Sequence, residues 1–415
     1  MTITTFGALV GLFTAIILII KRAQPVYSLM LGALIGSIVG GFNIAQTVDV
    51  MLNGAMGISP SILRVLASGV LAGALIKTGA VDKISEEIIR ILGIRHAILG
   101  VALSTMVLAG VGVNLDVAVI TVAPVGLYIG RNLSYSKMSI LLAMLGGGKA
   151  GNIISPNPNT LAVADNFNVG LSKVMASNIL PALVGVFVTV VIAKKLTNNG
   201  SKIKENELVD KKENLPSLSK SLIGPVVSIG LLSLGNFTNI TIDPLVALPV
   251  GGIVCLLVTG NICNTNEYLT FGLDKMQGVC ILLLATGSLA GVIQASNLQQ
   301  STIKVLEILN IQQFLLAPIS AILMSLATGS STAGATIASS TFSDAIIHGG
   351  LSPLSGAAII NAGASTFEQL PHGSLFHTST SSISMNMDER FKLIPYEALI
   401  GIIMTIVSTG IQLIF

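Results

Sequence analysis

Apolar runs of about 16–22 residues follow one another along this chain, close to the roughly 20 residues that one helix needs to cross a bilayer. The chain has 415 residues, of which 52% are hydrophobic and 10% are charged. Its mean hydropathy is +0.84. A soluble domain could not cover so many apolar segments with so few charges. The pattern therefore predicts an all-α polytopic membrane protein.

The two halves of the chain carry a similar pattern. "GVLAG" at Gly69–Gly73 recurs as "GSLAG" at Gly287–Gly291, and 217 residues separate Gly112 from Gly329. The long hydrophilic segment Lys194–Lys220 lies between the two halves. We therefore expect a first repeat at residues 1–196, a linker at 197–217 and a second repeat at 218–415.

Each half has three spans, a pair of shorter apolar segments that meet at a small polar tip, a span interrupted by polar residues, and a last span. In the first half these lie at about 3–20, 25–42, 61–80, 97–112 with 117–130, 138–166 and 174–193. The short pair either forms a re-entrant hairpin or crosses twice. Both alternatives give an odd number of crossings, so the second half is expected to be inverted. Two inverted-topology repeats with re-entrant hairpins and broken helices are typical of secondary transporters.

The distribution of lysine and arginine predicts the orientation. If the loop after the first span is cytoplasmic, 18 of the 22 basic residues fall on the cytoplasmic side, and Lys173 and Lys304 fall outside. The other two are Arg64, at an outer span end, and Lys149, within a span. Basic residues favour the cytoplasmic side of a membrane protein. We therefore expect a protein of the cell membrane with a cytoplasmic linker and two external termini. The net charge of +3 follows from this topology and indicates no nucleic-acid partner.

The most polar interruption is "GGGKAGNIISPNPNT", residues 146–160. Pro156 and Pro158 lack amide donors, so a helix cannot continue through them. Non-helical backbone at membrane depth is tolerated only where protein or a water-filled cavity covers it. The counterpart at residues 361–382 is also polar and contains Pro371. The two interruptions and the two polar tips are therefore expected to form one binding site.

The candidate substrate-binding residues are the polar side chains of these four segments: Asn114, Lys149, Asn152, Ser155, Asn157, Asn159, Thr160, Ser330, Ser331, Thr332, Ser365 and Thr366. We expect Lys149 or the adjacent half-helix end to hold a carboxylate, and Asn157, Asn159 and Thr160 to bind hydroxyls. Lys149 could instead snorkel to the interface or be neutralised by a carboxylate. Gly146–Gly148 serve either helix packing or the shape of the site.

The candidate proton-coupling residues are Asp116, Glu368 and His372, because ionisable groups inside a membrane are costly and are kept for function. The sequence contains no phosphate-binding loop, zinc-ligand spacing or nucleophile elbow. We therefore expect neither an ATPase nor a hydrolase, and no cofactor or metal. The amphipathic segment Val81–Ile94 predicts a surface helix on the cytoplasmic face, and Leu298–Ile311 predicts its equivalent on the other face.

"LAMLGGGKAGNIISPNPNTLAVADNF" at residues 142–167 and "GSSTAGATIASS" at 329–340 resemble the gluconate permease family of gluconate:proton symporters, within the ion transporter superfamily. The resemblance extends over essentially the whole chain. It implies two hairpins, two broken helices, an elevator-like transport domain and a scaffold domain that often forms a homodimer. The loop "SPNPNT" departs from the Pro-Pro-x-Pro-Gly-Pro-like loop expected there, so the substrate need not be gluconate.

Together these features predict a proton-coupled symporter in the lipid bilayer that imports a small hydroxylated carboxylate. Sodium coupling stays open, because serine, asparagine and threonine oxygens and the carbonyls of broken helices are good ligands for hard cations. Outside the transporters, the alternatives are a channel and an intramembrane enzyme.

Overall fold

The computed structural model describes residues 2–21, 23–207, 215–234, 238, 240–298, 301, 312–371 and 373–414. These residues form 19 α-helices and no β-strand. Two isolated β-bridges, Ile3 with Ser296 and Ser136 with Lys202, are the extended pairings among them.

The first half contains α1 (Thr5–Ile20), α2 (Pro25–Val39), α3 (Ile44–Gly57), α4 (Ser59–Lys77), α5 (Ala80–Leu92), α6 (Ala97–Gly110), α7 (Leu115–Asn132), α8 (Lys137–Asn152), α9 (Pro158–Asn166), α10 (Leu171–Ser177) and α11 (Ile179–Lys195). The second half contains α12 (Leu218–Ser233), α13 (Pro244–Thr259), α14 (Thr265–Gln294), α15 (Leu316–Thr328), α16 (Ser331–His348), α17 (Pro353–Ala364), α18 (Ser374–Ser382) and α19 (Met387–Ile414).

The helices of the two halves follow the same order along the chain. In chain order, helices α6 to α9 of the first half correspond to α15 to α18 of the second half, and α1 and α2 correspond to α12 and α13. Two continuous helices of the second half correspond to helix pairs in the first. The long α14 corresponds to α3 and α4, which separate at Ile58 just before Pro60. The long α19 corresponds to α10 and α11, which are bent by 43° at Asn178.

The predicted spans lie close to the observed helices, but α3 was not predicted. Gln46, Asp49 and Asn53 interrupt its apolar pattern, and a capping box at Asn43 and Gln46 starts it. This capping box is a local signal that a search for apolar runs does not detect.

Helix length limits how many helices can cross a bilayer alone. Among the described residues, three segments are long and apolar enough, namely Ser59–Lys77, Ile262–Gln294 and Met387–Ile414, and the bent pair α10 and α11 would make a fourth. Six further apolar helices in the described part of the chain have 10–17 residues. At 1.5 Å per residue these are shorter than the roughly 30 Å hydrocarbon core, so they reach across it only with the residues that flank them.

Gly146–Gly148 are helical and serve packing in this structure. A Cβ on Gly147 would lie 2.0 Å from the carbonyl oxygen of Ala102, and one on Gly146 would lie 2.1 Å from Thr189 Oγ1. The glycines therefore let α8 lie directly against α6 and α11, as small residues do between membrane helices. The helix itself stops only after Asn152.

The amphipathic segment of the first half forms α5, as its charge pattern indicates. Lys83 pairs with Glu87 at 2.7 Å, one turn along the helix, while Val81 and Ile84 are buried. The corresponding segment Leu298–Ile311 lies outside the described residues except for Leu298 and Ser301.

Candidate functional site

Two helices are interrupted in the middle of the protein, and each interruption is stabilised by the other half. The carboxyl-terminal cap of α8 is Ile153, and that of α17 is Ser365. Lys149 Nζ donates to the carbonyl oxygen of Ser365 at 2.5 Å, and Asn361 Nδ2 donates to that of Ile153 at 3.0 Å. Lys149 and Asn361 each lie four residues before the carboxyl-terminal cap of their own helix. The free carbonyls at the two breaks therefore have donors from the opposite half of the chain.

The amino ends of four described helices converge on one cavity of about 190 Å³. They are the first turns of α7, α9, α16 and α18. Apolar residues of α14 close the cavity on another side, and the lining includes Asn114, Leu115, Asp116, Asn152, Asn157, Pro158, Asn159, Gly278, Val279, Leu282, Gly329, Ser330, Ser331, Thr332, Glu368, Ser374 and Leu375. The volume is below the roughly 300–1,000 Å³ of pockets for drug-sized ligands, which indicates a small ligand.

Hydrogen bonds tie the polar tips to the interrupted helices across this cavity. Thr332 Oγ1 at the start of α16 donates to Asn159 Oδ1 at 2.6 Å. Ser374 Oγ at the start of α18 donates to Asp116 Oδ2 at 3.1 Å. Each tip thus contacts the interrupted helix of the opposite half.

Donors face the cavity from the helix ends. The first-turn amides of a helix have no acceptor within the helix, and the helix dipole places partial positive charge there. Asn157 Oδ1 accepts from the amide of Thr160, and Ser330 Oγ accepts from that of Ala333, so other first-turn amides remain for a ligand. Asn159 Nδ2 is buried and has no partner among the described residues. Such an arrangement binds anions.

Two carboxyl groups, Asp116 and Glu368, are the charged side chains among the described lining residues. Glu368 is 4% exposed, and its Oε1 lies 3.3 Å from Lys149 Nζ. Asp116 has the Ser374 hydroxyl as its hydrogen-bond donor and interacts electrostatically with Glu368 and Lys275. The negative charge of Glu368 is therefore compensated at closer range than that of Asp116.

Nine of the fifteen residues singled out from the sequence line the cavity: Asn114, Asp116, Asn152, Asn157, Asn159, Ser330, Ser331, Thr332 and Glu368. Five others are buried and do not line the cavity: Lys149, Ser155, Thr160, Ser365 and Thr366. His372 lies outside the described residues.

Lys149 does not line the cavity, so its position differs from that of a side chain that contacts the substrate directly. Its side chain is fully buried, and its ammonium is engaged by Ser365, Gln369 and Glu368. Asn157 and Thr160 are also engaged, because Asn157 Oδ1 accepts from both the amide and the hydroxyl of Thr160. Of the three residues expected to bind hydroxyls, Asn159 alone has a buried side-chain nitrogen without a partner among the described residues.

Sequence reasoning missed Asn361, Gln369 and Ser374 as parts of this arrangement. All three lie within the polar segment 361–382 that the sequence indicates, but nothing in that segment shows which of its residues contact the first half of the chain. A usable signal was the spacing of Lys149 and Asn361, each four residues before the carboxyl-terminal cap of its helix.

Comparison with known proteins places the chain in a family. The family model for GntP family permeases matches residues 3–414. The chain is a GntP family permease. An uncharacterized transporter of Haemophilus influenzae is 49% identical over 415 residues, which cover 100% of this chain and 99% of the relative. A gluconate permease of Zymomonas mobilis is 21% identical over 451 residues, covering 99% and 98% of the two chains. The resemblance seen in the sequence is thereby confirmed.

Two solved transporters share the fold. The YdaH transporter of Alcanivorax borkumensis superposes with a TM-score of 0.64 at 14% identity, covering 98% of both chains. MtrF of Neisseria gonorrhoeae, described as an antimetabolite efflux pump, superposes with a TM-score of 0.64 at 14% identity, covering 95% of this chain and 94% of that one. The family and these neighbours support a secondary transporter that is a multi-pass membrane protein.

Proposed function

We propose that this permease imports a small hydroxylated carboxylate together with a proton, and that the substrate binds in the cavity between α7, α9, α16 and α18. The observation that carries the proposal is the convergence of four helix amino ends on a cavity without a lysine or arginine in its described lining. An anion entering such a cavity loses several kcal/mol of hydration, and aligned amide donors and helix dipoles can offset this loss. The gluconate permease of Zymomonas mobilis supports the choice of a sugar acid or hydroxy acid.

The hydroxyl selectivity is assigned to side chains that both donate and accept. Asn159 offers an unpartnered Nδ2 donor, while Ser331 and Thr332 place hydroxyls at the amino end of α16. Hydroxyl groups of a substrate need both kinds of partner, and amides and hydroxyls supply them together. We assign binding of the substrate carboxylate to the backbone amides at the helix amino ends. Lys149 does not line the cavity and acts on it through its ion pair with Glu368.

The proton is assigned to Asp116. A substrate anion beside two ionised carboxylates is repelled by both, so protonation of one carboxylate and binding of the anion favour each other. Glu368 has the ammonium of Lys149 beside it, whereas Asp116 is bonded to a neutral hydroxyl. Asp116 is therefore the carboxylate to which we assign proton uptake on substrate binding, while Glu368 lies beside the ammonium of Lys149.

Transport follows from inverted repeats in which the two tips are re-entrant hairpins and the interrupted helices carry the site across the bilayer in an elevator-like movement. The contacts of Thr332 with Asn159 and of Ser374 with Asp116 support this division, because they keep the hairpins and the broken helices together as one unit. A homodimer formed through the remaining helices, a cytoplasmic linker and external termini complete the proposal.

Sodium coupling is the second candidate, because Asp116, Glu368 and the hydroxyls of the cavity are oxygen ligands. Against it, the carbonyls at both helix breaks already accept hydrogen bonds from Lys149 and Asn361. These carbonyls are the groups that coordinate sodium in many transporters with broken helices.

The experiment is uptake into proteoliposomes with a panel of labelled ligands: sugar acids, hydroxy acids, plain carboxylic acids of equal length, and neutral sugars. We expect saturable uptake of hydroxylated acids, weaker uptake of plain acids and none of neutral sugars. Equal uptake of neutral sugars and acids would contradict the anion site. Flux that never saturates and never accumulates against a gradient would indicate a channel.

A further inference from the structure

The side chain of Lys149 ends in a cage of oxygen atoms. Its Nζ lies 2.5 Å from the carbonyl oxygen of Ser365, 2.6 Å from Gln369 Oε1 and 3.3 Å from Glu368 Oε1. The amide of Gln369 is held in this orientation because its Nε2 donates to the carbonyl oxygen of Thr366 at 3.0 Å. The side chain of Lys149 is fully buried. The cage is therefore formed by the protein and is shielded from bulk water.

The chemistry of the cage is that of a cation site. A backbone carbonyl, an amide oxygen and a carboxylate are the ligands that hard cations prefer. Ser365 is also the carboxyl-terminal cap of α17, a helix of 12 residues, so the negative end of the helix dipole points to the same place. One carboxylate and one helix end provide charge for a monovalent ion rather than a divalent one.

We propose that Lys149 is a tethered cation that occupies a sodium-type site at the carboxyl end of α17. The inference deepens the proposed function and rests on it. If the ammonium of Lys149 fills this cation site, sodium cannot bind there, and the proton remains as the coupling ion. It assigns to this chain a latent monovalent-cation site that becomes available when the lysine is removed.

The test compares two substitutions of the same lysine. Lys149→Ala removes the ammonium and opens space beside the three oxygens. Lys149→Met removes the ammonium but fills the space with an apolar chain of similar length. The unfolding temperature of each purified protein is measured without substrate, in sodium chloride and in choline chloride at equal ionic strength.

For Lys149→Ala, about 0.1 M sodium should raise the unfolding temperature by about 3 °C or more over choline, because an ion that binds only the folded state stabilises it. Lys149→Met and the wild-type protein should show no difference between the two salts. Adding Gln369→Leu to Lys149→Ala, which removes one of the three oxygens, should reduce the sodium effect.

An equal response of Lys149→Ala and Lys149→Met to the two salts would overturn the inference. So would sodium-dependent stabilisation of the wild-type protein. If neither variant folds, the wild-type protein decides: indifference to sodium supports a filled site, and stabilisation by sodium contradicts it. These measurements contain no substrate, so a failure of carboxylate uptake would count against the proposed function alone.

Discussion

Lys149 and Asn361 each lie four residues before the carboxyl-terminal cap of their own interrupted helix, and each donates a hydrogen bond to the cap carbonyl of the other helix. The distances are 2.5 Å from Lys149 Nζ to Ser365 O and 3.0 Å from Asn361 Nδ2 to Ile153 O. The exchange joins the two halves at the breaks. It also leaves the amino ends of the following helices, α9 and α18, as the parts of the breaks that face the cavity.

The hydrogen bond from Asn361 to Ile153 predicts that substitution of Asn361 lowers the stability of the folded protein. Asn361→Leu leaves the carbonyl of Ile153 buried without this donor and should cost about 1–3 kcal/mol of stability. Asn132→Leu, at the exposed end of α7, is the control and should change little. Thermal unfolding in detergent measures both variants. Equal unfolding temperatures for Asn361→Leu and the wild-type protein would show that the bond contributes nothing.

The unpartnered side-chain nitrogen of Asn159 predicts an effect on substrate binding. A hydrogen bond to a charged or strongly polar ligand contributes roughly 1.5–3 kcal/mol, so Asn159→Ala should raise the apparent KM about tenfold or more. Asn159→Asp should be worse, because it adds a negative charge beside the anion. Asn166→Ala, at the other end of α9, tests whether any loss on this helix has the same effect. The account is contradicted if the two alanine variants have the same KM.

Asp116 accepts a hydrogen bond from a neutral hydroxyl, whereas Glu368 lies beside the ammonium of Lys149. We therefore expect substitution of Asp116 to impair proton coupling and to leave substrate binding intact. Asp116→Asn should abolish accumulation driven by a pH gradient and spare exchange of labelled for unlabelled substrate, because it removes the proton acceptor and keeps the site. Asp49→Asn, on the exposed face of α3, should behave like the wild-type protein. Normal pH-driven accumulation by Asp116→Asn would exclude Asp116 as the proton carrier.

The topology predicts opposite labelling of two exposed positions. Cys263 is exposed and free, and lies between α13 and α14 on the side assigned to the cytoplasm. Lys173 is exposed in α10 on the side assigned to the exterior. An impermeant thiol reagent added to whole cells should label Lys173→Cys in a Cys263→Ser background, and should leave Cys263 unlabelled in the wild-type protein. The reverse pattern would invert the whole orientation.

Much of the architecture follows from local sequence signals. Apolar runs located α1, α2, α4 and the short pairs, because burial in lipid requires continuous apolar segments. Pro156 and Pro158 located the break before α9, since proline removes the amide that a continuing helix needs. The polar residues of the four segments were found for the same reason, as polar groups at membrane depth are costly unless they have a function.

The remainder depends on contacts between distant segments. Whether Lys149 faces the cavity or the opposite half depends on how α8 and α17 meet, and their contact residues are 216 apart in the chain. Arg390 and Glu397 form a fully buried ion pair within α19 that the sequence search did not single out. Their spacing of seven residues puts them on one helix face, but it does not reveal that the face is covered by protein rather than by water.

The most direct test of the account is uptake by the wild-type protein in proteoliposomes under one ion gradient at a time, with a hydroxylated carboxylate as the labelled substrate. The account predicts accumulation above the external concentration when the exterior is acidic, at the same rate in sodium and in choline. Accumulation that requires a sodium gradient and ignores the pH gradient would contradict it.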